Sequence, residues 1–119
     1  METSTKTLSG FRFRITGEEA LLYREATGFT GRHLPLGLAM KFFADASFVG
    51  ALREAMDHHD PIHVQQHYDV SAPLETDVDY DVSVSYATKR PRTLEVTAKF
   101  SVPGHEPQLV MRSVFVPAG

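Results

Sequence analysis

The chain of 119 residues contains no cysteine. Disulfides, zinc–thiolate sites and cysteine nucleophiles are therefore excluded, and the composition suits a reducing compartment. Tryptophan is also absent, and 12 basic residues face 15 acidic ones, a formal net charge of −3 with histidines neutral. A nucleic-acid binder needs a basic patch to displace counterions from phosphates, so that class is set aside. Long hydrophobic runs are missing as well. The most apolar stretch, Leu34 to Met56, is broken by Lys41, Asp45, Arg53 and Glu54 and does not read as a membrane span. The first ten residues, METSTKTLSG, lack the apolar core of a signal peptide. The expectation is a cytoplasmic chain with no membrane partner. No internal repeat, low-complexity run or linker interrupts it.

The residues present suffice for one packed core. Hydrophobic residues make up 42% of the chain. A chain of this length holds one domain and is short for two. We expect a single domain over residues 1–119, with 1–10 as a flexible start. Phe11, Phe13 and Ile15 then alternate with Arg12, Arg14 and Thr16, a short half-buried strand. Thr16 is a helix cap, Glu18 and Glu19 favour a first turn, and Gly28 closes a helix over 18–27. Pro35 opens a longer helix. Its apolar residues, among them Leu38, Met40, Phe42, Phe43, Phe48, Val49, Leu52 and Met56, cover most of its circumference. A helix apolar nearly all round is expected to be wrapped by the rest of the protein.

The remainder of the chain reads as strand, over 62–70, 78–88, 93–102 and 108–116. Val78, Tyr80, Val82, Val84 and Tyr86 alternate with polar residues, and so do Leu94, Val96, Ala98, Phe100 and Val102. That is the period of a sheet with one buried face. Lys89 to Arg92 and Gly104 to Pro107 read as hairpin turns. The last strand carries apolar residues on both faces, with Val110, Val114 and Val116 on the outer one. A covered outer face, against a partner subunit, is the expectation there. The order predicts an α+β domain, an antiparallel sheet wrapped around one long central helix.

Three stretches then resemble the hotdog-fold superfamily, and most closely its MaoC-like hydratase/dehydratase branch. Tyr23-Arg-Glu-Ala-Thr-Gly28 is similar to the segment that leads into the active-site loop of those enzymes. Ile62 to Val70, with Ala72-Pro-Leu-Glu-Thr-Asp77 after it, is similar to their strand and Pro-Leu-x-x-Gly-Asp turn, with Thr76 where Gly is usual. The final strands resemble the last two of the same fold. The resemblance covers nearly the whole chain and implies an enoyl-thioester hydratase or 3-hydroxyacyl dehydratase relative. Its ligand would be an acyl group on coenzyme A or acyl carrier protein, and it would need no cofactor.

In the family, Ala-Thr-Gly leads to an Asp and a His that add or remove water across the thioester. Here Phe29 takes the Asp position, and His33 stands one residue early for the His. His33 is the local candidate for proton transfer, without a carboxylate to orient it. Two alternatives stay open. One is an acyl-CoA thioesterase, because Phe43-Ala-Asp45 resembles the Leu-Ala-Asp segment of a thioesterase branch, with Asp45 as base or nucleophile. The other is a non-catalytic subunit. The resemblance implies a homodimer or higher homo-oligomer, or a heteromer with a catalytic hotdog chain.

Gly37, beside Leu38 at the start of the long helix, can offer a backbone N–H to a thioester carbonyl. Phe42, Phe43 and Phe48 are candidate walls of the acyl slot. The histidine-rich stretch Met56-Asp-His-His-Asp-Pro-Ile-His-Val-Gln-Gln-His-Tyr-Asp-Val70 invites a metal reading. By strand parity His63, Gln65, His67 and Asp69 share one face, yet His63 and His67 would lie about 13 Å apart. The spacing matches no standard zinc pattern, and no metal is expected. His63 remains a candidate at the mouth of the substrate pocket.

Overall fold

The computed structural model describes residues 5–28, 41, 43, 46–57, 59–89 and 93–118. Five strands form one antiparallel sheet: β1 (Thr5–Phe13), β2 (Pro61–Val70), β3 (Tyr80–Lys89), β4 (Thr93–Ser101) and β5 (Leu109–Pro117), in spatial order β1-β3-β4-β5-β2. Two helices precede β2: α1 (Gly17–Thr27) and α2 (Ala46–Ala55).

The alternation read from the sequence sets the sheet's two faces. Val82, Val84, Leu94, Val96, Ala98, Phe100, Leu109, Met111 and Phe115 all turn to the inner face and are buried. Phe13 meets Phe100 edge-on, with ring centroids 5.2 Å apart. Phe48 and Leu52 on α2, with Met56 just past its end, recur every four residues and complete this core.

β1 begins earlier than expected. The stretch 1–10 was expected to be a flexible start, but Thr5 to Gly10 pair with β3 from Ala87 to Ser83. Backbone pairing with an edge-seeking neighbour, rather than apolar alternation, makes these residues a strand. A register shift between Thr7 and Ser9 breaks the alternation, which hid the strand in the sequence.

α2 is also narrower in character than the expected helix. Lys41 and Phe43 are in 3₁₀ conformation, and α-helix begins at Ala46. Within α2 the apolar residues form one buried stripe, while Val49 and Arg53 are exposed. The expected all-round burial therefore does not hold for this part of the segment.

α1 is fixed as its sequence suggests. The Thr16 hydroxyl accepts the Glu19 N–H at 3.1 Å, and the Glu19 carboxylate accepts the Thr16 N–H at 3.0 Å. Gly28 closes the helix at φ 73°, donating its N–H to the Arg24 carbonyl at 2.8 Å. The turn after β2 is tied to the same place. Asp77 donates its N–H to the Ile15 carbonyl at 2.8 Å and accepts the Gly17 N–H at 3.3 Å. Asp77 itself takes the left-handed backbone, φ 59°, which an Asp tolerates.

Candidate functional site

The inner face closes over the middle of β3, β4 and β5 but not at β2. There the register decides which side chains face inward. His63 pairs with Phe115, but the next pair is Gln65 with Val114, so Val64 is an extra residue, a β-bulge. Beyond it Gln66 pairs with the buried Ser113, Tyr68 with Met111 and Val70 with Leu109. The inner row is thus His63, Gln66, Tyr68 and Val70. This corrects the parity read from the sequence. His63 and His67 lie on opposite faces, because one bulge residue reverses every later side chain. Among the described residues no three His, Asp or Glu side chains are grouped to hold a metal ion.

His63 is held by aromatic rings. It stacks on Phe115 with centroids 5.1 Å apart and planes 27° apart, and it meets Phe43 edge-on at 5.7 Å. Phe43 in turn stacks on Phe48 at 5.3 Å and approaches Phe115 at 5.9 Å. The imidazole remains exposed although Phe115 stacks on its ring. Next along the row, the Ser113 hydroxyl donates to Gln66 Oε1 at 2.6 Å. Tyr68 comes after it, and its phenol is pushed above its ordinary value by burial and then by the nearby Tyr23 phenol. Tyr23 opens the Tyr23–Gly28 stretch on α1, which is near enough to β2 for the one phenol to influence the other. At the opposite end of the row a hollow of about 290 Å³ is lined by Ala55, Met56, His59, Leu94 and Pro117 among others. Leu94 is the partner of Phe115, and Pro117 of Pro61, which sets the hollow beside the His63 box.

Of the residues singled out for chemistry or binding, His63 is placed on this row. His33, Gly37, Leu38, Phe42 and Asp45 lie outside the described residues. The Gln66–Ser113 pair and the hollow were not found by sequence reasoning. Ser113 sits where strand alternation demands an apolar residue, and that mismatch was the available signal.

The architecture is that of a hotdog fold: an α+β domain whose antiparallel sheet packs its inner face on a helix. No model of a known family matches the chain, and no curated protein does. Solved structures do. An (R)-hydratase from A. caviae involved in PHA biosynthesis is similar over 99% of this chain and 98% of its own, at 14% identity and TM-score 0.64. The C-terminally truncated HadBC complex from Mycobacterium tuberculosis, a 3R-hydroxyacyl-ACP dehydratase, is similar over 96% of both chains, at 10% identity and TM-score 0.62. A hypothetical protein from Aquifex aeolicus is similar over 93% of this chain and 100% of its own, at 10% identity and TM-score 0.65. Among the described residues no helix is long and apolar enough to cross a membrane.

Proposed function

We propose that this chain binds acyl thioesters, on coenzyme A or acyl carrier protein, along the inner face beside β2. It is a relative of the enoyl-thioester hydratases and 3-hydroxyacyl dehydratases. The observation that carries this reading is the coincidence of two facts. The fold is shared over nearly its full length with a hydratase and a dehydratase. β2, whose inner row stays partly open, presents an aromatic box and polar groups, as a binding slot requires. His33 is the proton-transfer residue of this reading, and Gly37, Leu38 and Phe42 its contacts to the thioester and acyl group.

A second reading is favoured by Phe29, which stands at the family's Asp position. In it the chain is the acyl-binding, non-catalytic subunit of a heteromer with a second hotdog chain. β2 is an edge strand and carries the exposed Ile62 and Val64, a surface suited to another subunit.

Titration with crotonyl-CoA and longer enoyl-CoAs tests binding, and loss of the conjugated thioester absorbance tests hydration. Hydration that His33→Ala abolishes supports the first reading. Tight binding without turnover supports the second. Release of free thiol that Asp45→Asn abolishes would replace both with a thioesterase. Absence of any binding would remove the acyl-thioester reading altogether.

A further inference from the structure

Gln66 and Ser113 are a polar pair set into an apolar face. On β5 the other inner residues, Leu109, Met111 and Phe115, are apolar and buried. Val96, the partner of Ser113 on β4, is apolar and buried too. Ser113 is only 2% exposed. Its hydroxyl proton is used on Gln66 Oε1, at 2.6 Å. The Gln66 carboxamide nitrogen is buried and has no hydrogen-bond partner among the described residues.

A buried amide N–H₂ without an acceptor destabilises the fold. A leucine or methionine at position 66 would fill similar space without that cost, so packing does not account for the carboxamide. Turning the amide over does not help. Ser113 would then meet the nitrogen, and the oxygen would take the buried position instead. As placed, the carboxamide N–H₂ has no acceptor among the described residues and is open to a ligand group. A hydroxyl both donates and accepts, so it satisfies both orientations, whereas a carbonyl satisfies one.

We propose that Gln66, braced by Ser113, is a specificity-determining contact for a hydroxyl group on the acyl chain bound along this face. The proposal rests on the acyl-thioester reading. It adds to that reading the pair of residues that tells a hydroxylated acyl chain from a plain one. Position in the row supports it. The pair lies between the His63–Phe43–Phe115 box and Tyr68, so a chain laid along β2 passes over it. Neighbouring inner residues Met111 and Phe115 give the rest of the chain an apolar bed.

The test is calorimetric titration with butyryl-CoA, 3-hydroxybutyryl-CoA and 4-hydroxybutyryl-CoA. The wild-type chain is expected to bind one hydroxylated ligand up to about tenfold more tightly than butyryl-CoA, the yield of one net hydrogen bond. Gln66→Leu is expected to bring that ratio to about one while butyryl-CoA binding is kept or improved. Gln66→Met serves if the leucine variant does not fold, and Ser113→Ala should reduce the ratio by freeing the carboxamide to rotate. An unchanged ratio in a folded Gln66 variant overturns the proposal. So does a wild-type ratio of one, with acyl-CoA binding intact, and the acyl-thioester reading then stands without it. If none of the three ligands binds, that reading fails and this one with it.

Discussion

The sheet has a finished side and an open one. Over the middle of β3, β4 and β5 the inner residues, from Tyr80 to Val84, Leu94 to Phe100 and Leu109 to Phe115, are closed off from water, and apart from Ser113 they are apolar or aromatic. On β2 the same face carries His63, Gln66, Tyr68 and Val70, none of them fully buried. One polypeptide built both by the same alternation rule. The difference is that the central strands are committed to α2 and to each other, while β2 pairs on one side only. Stability is concentrated in the first region. Groups able to meet a ligand are concentrated in the second, as expected when a fold holds a binding row at the rim of a rigid core.

The comparison breaks first if the core does not carry the stability. Phe100 lies at its centre and packs edge-on against Phe13. Phe100→Ala should cost about 3–5 kcal/mol in urea unfolding. His63→Ala, on the open row, should cost only about 0.5–1.5 kcal/mol, the worth of its ring contacts. Equal losses at the two positions would erase the distinction between the regions.

A smaller effect concerns how α1 is held near the open row. Tyr23 on α1 lies close enough to Tyr68 to influence its phenol. The Thr16–Glu19 capping box fixes the start of that helix. Thr16→Ala should cost about 1 kcal/mol of stability. It should also speed amide exchange in α1 while leaving β4 and β5 protected. If exchange rises equally in β4 and β5, α1 belongs to the finished core and the boundary between the two regions is misplaced.

The finished side was the more legible one. Period-two alternation in 80–86 and 94–102 identified β3 and β4 and predicted which residues they bury. The caps at Thr16 and Gly28 located α1 to within a residue. The open side resisted for two physical reasons. Bulges carry no strong sequence signature, so Val64 reversed the facing of β2 beyond it, and the shift near Ser9 concealed β1. The binding candidates also depend on tertiary proximity. Nothing in the spacing of His63, Phe43 and Phe115 announces a box of rings. Nor does the distance in sequence between Gln66 and Ser113 suggest a pair. Of the residues read as catalytic or as contacts to the thioester, only His63 is among the described residues.

Acid should separate the surface pair at α1 from the core. Lys41 and Glu19 form an ion pair at 2.6 Å. The Glu19 carboxyl is held below its ordinary value of 4.5, first by the hydrogen bond from Lys41 and then by the Thr16 N–H. A carboxyl whose value is lower in the folded state adds stability that is fully present above the unfolded value. That stability is lost as pH falls through the folded one. Both side chains are well exposed, so the contribution is about a few tenths of a kcal/mol after solvent screening. The stability gap between wild type and Glu19→Gln should therefore close between neutral pH and about pH 3. A gap that stays constant over that range would show that the charge of Glu19 does not carry the effect.

The smallest change in stability is expected at Gln66, and its sign matters more than its size. In the finished region, replacing a buried side chain removes contacts that the fold needs. At Gln66 the buried carboxamide nitrogen makes no such contact among the described residues. Gln66→Leu removes a donor without a partner, at the loss of one acceptor for Ser113. These two terms are each on the order of 1 kcal/mol and oppose each other. The net should lie within about 1 kcal/mol of zero, with a slight stabilisation when the Ser113 hydroxyl turns to another acceptor. Chemical denaturation of the unliganded protein measures it. A loss of about 3 kcal/mol or more would place Gln66 among the residues that hold the sheet together. The open row would then be a continuation of the core rather than a surface kept for a ligand.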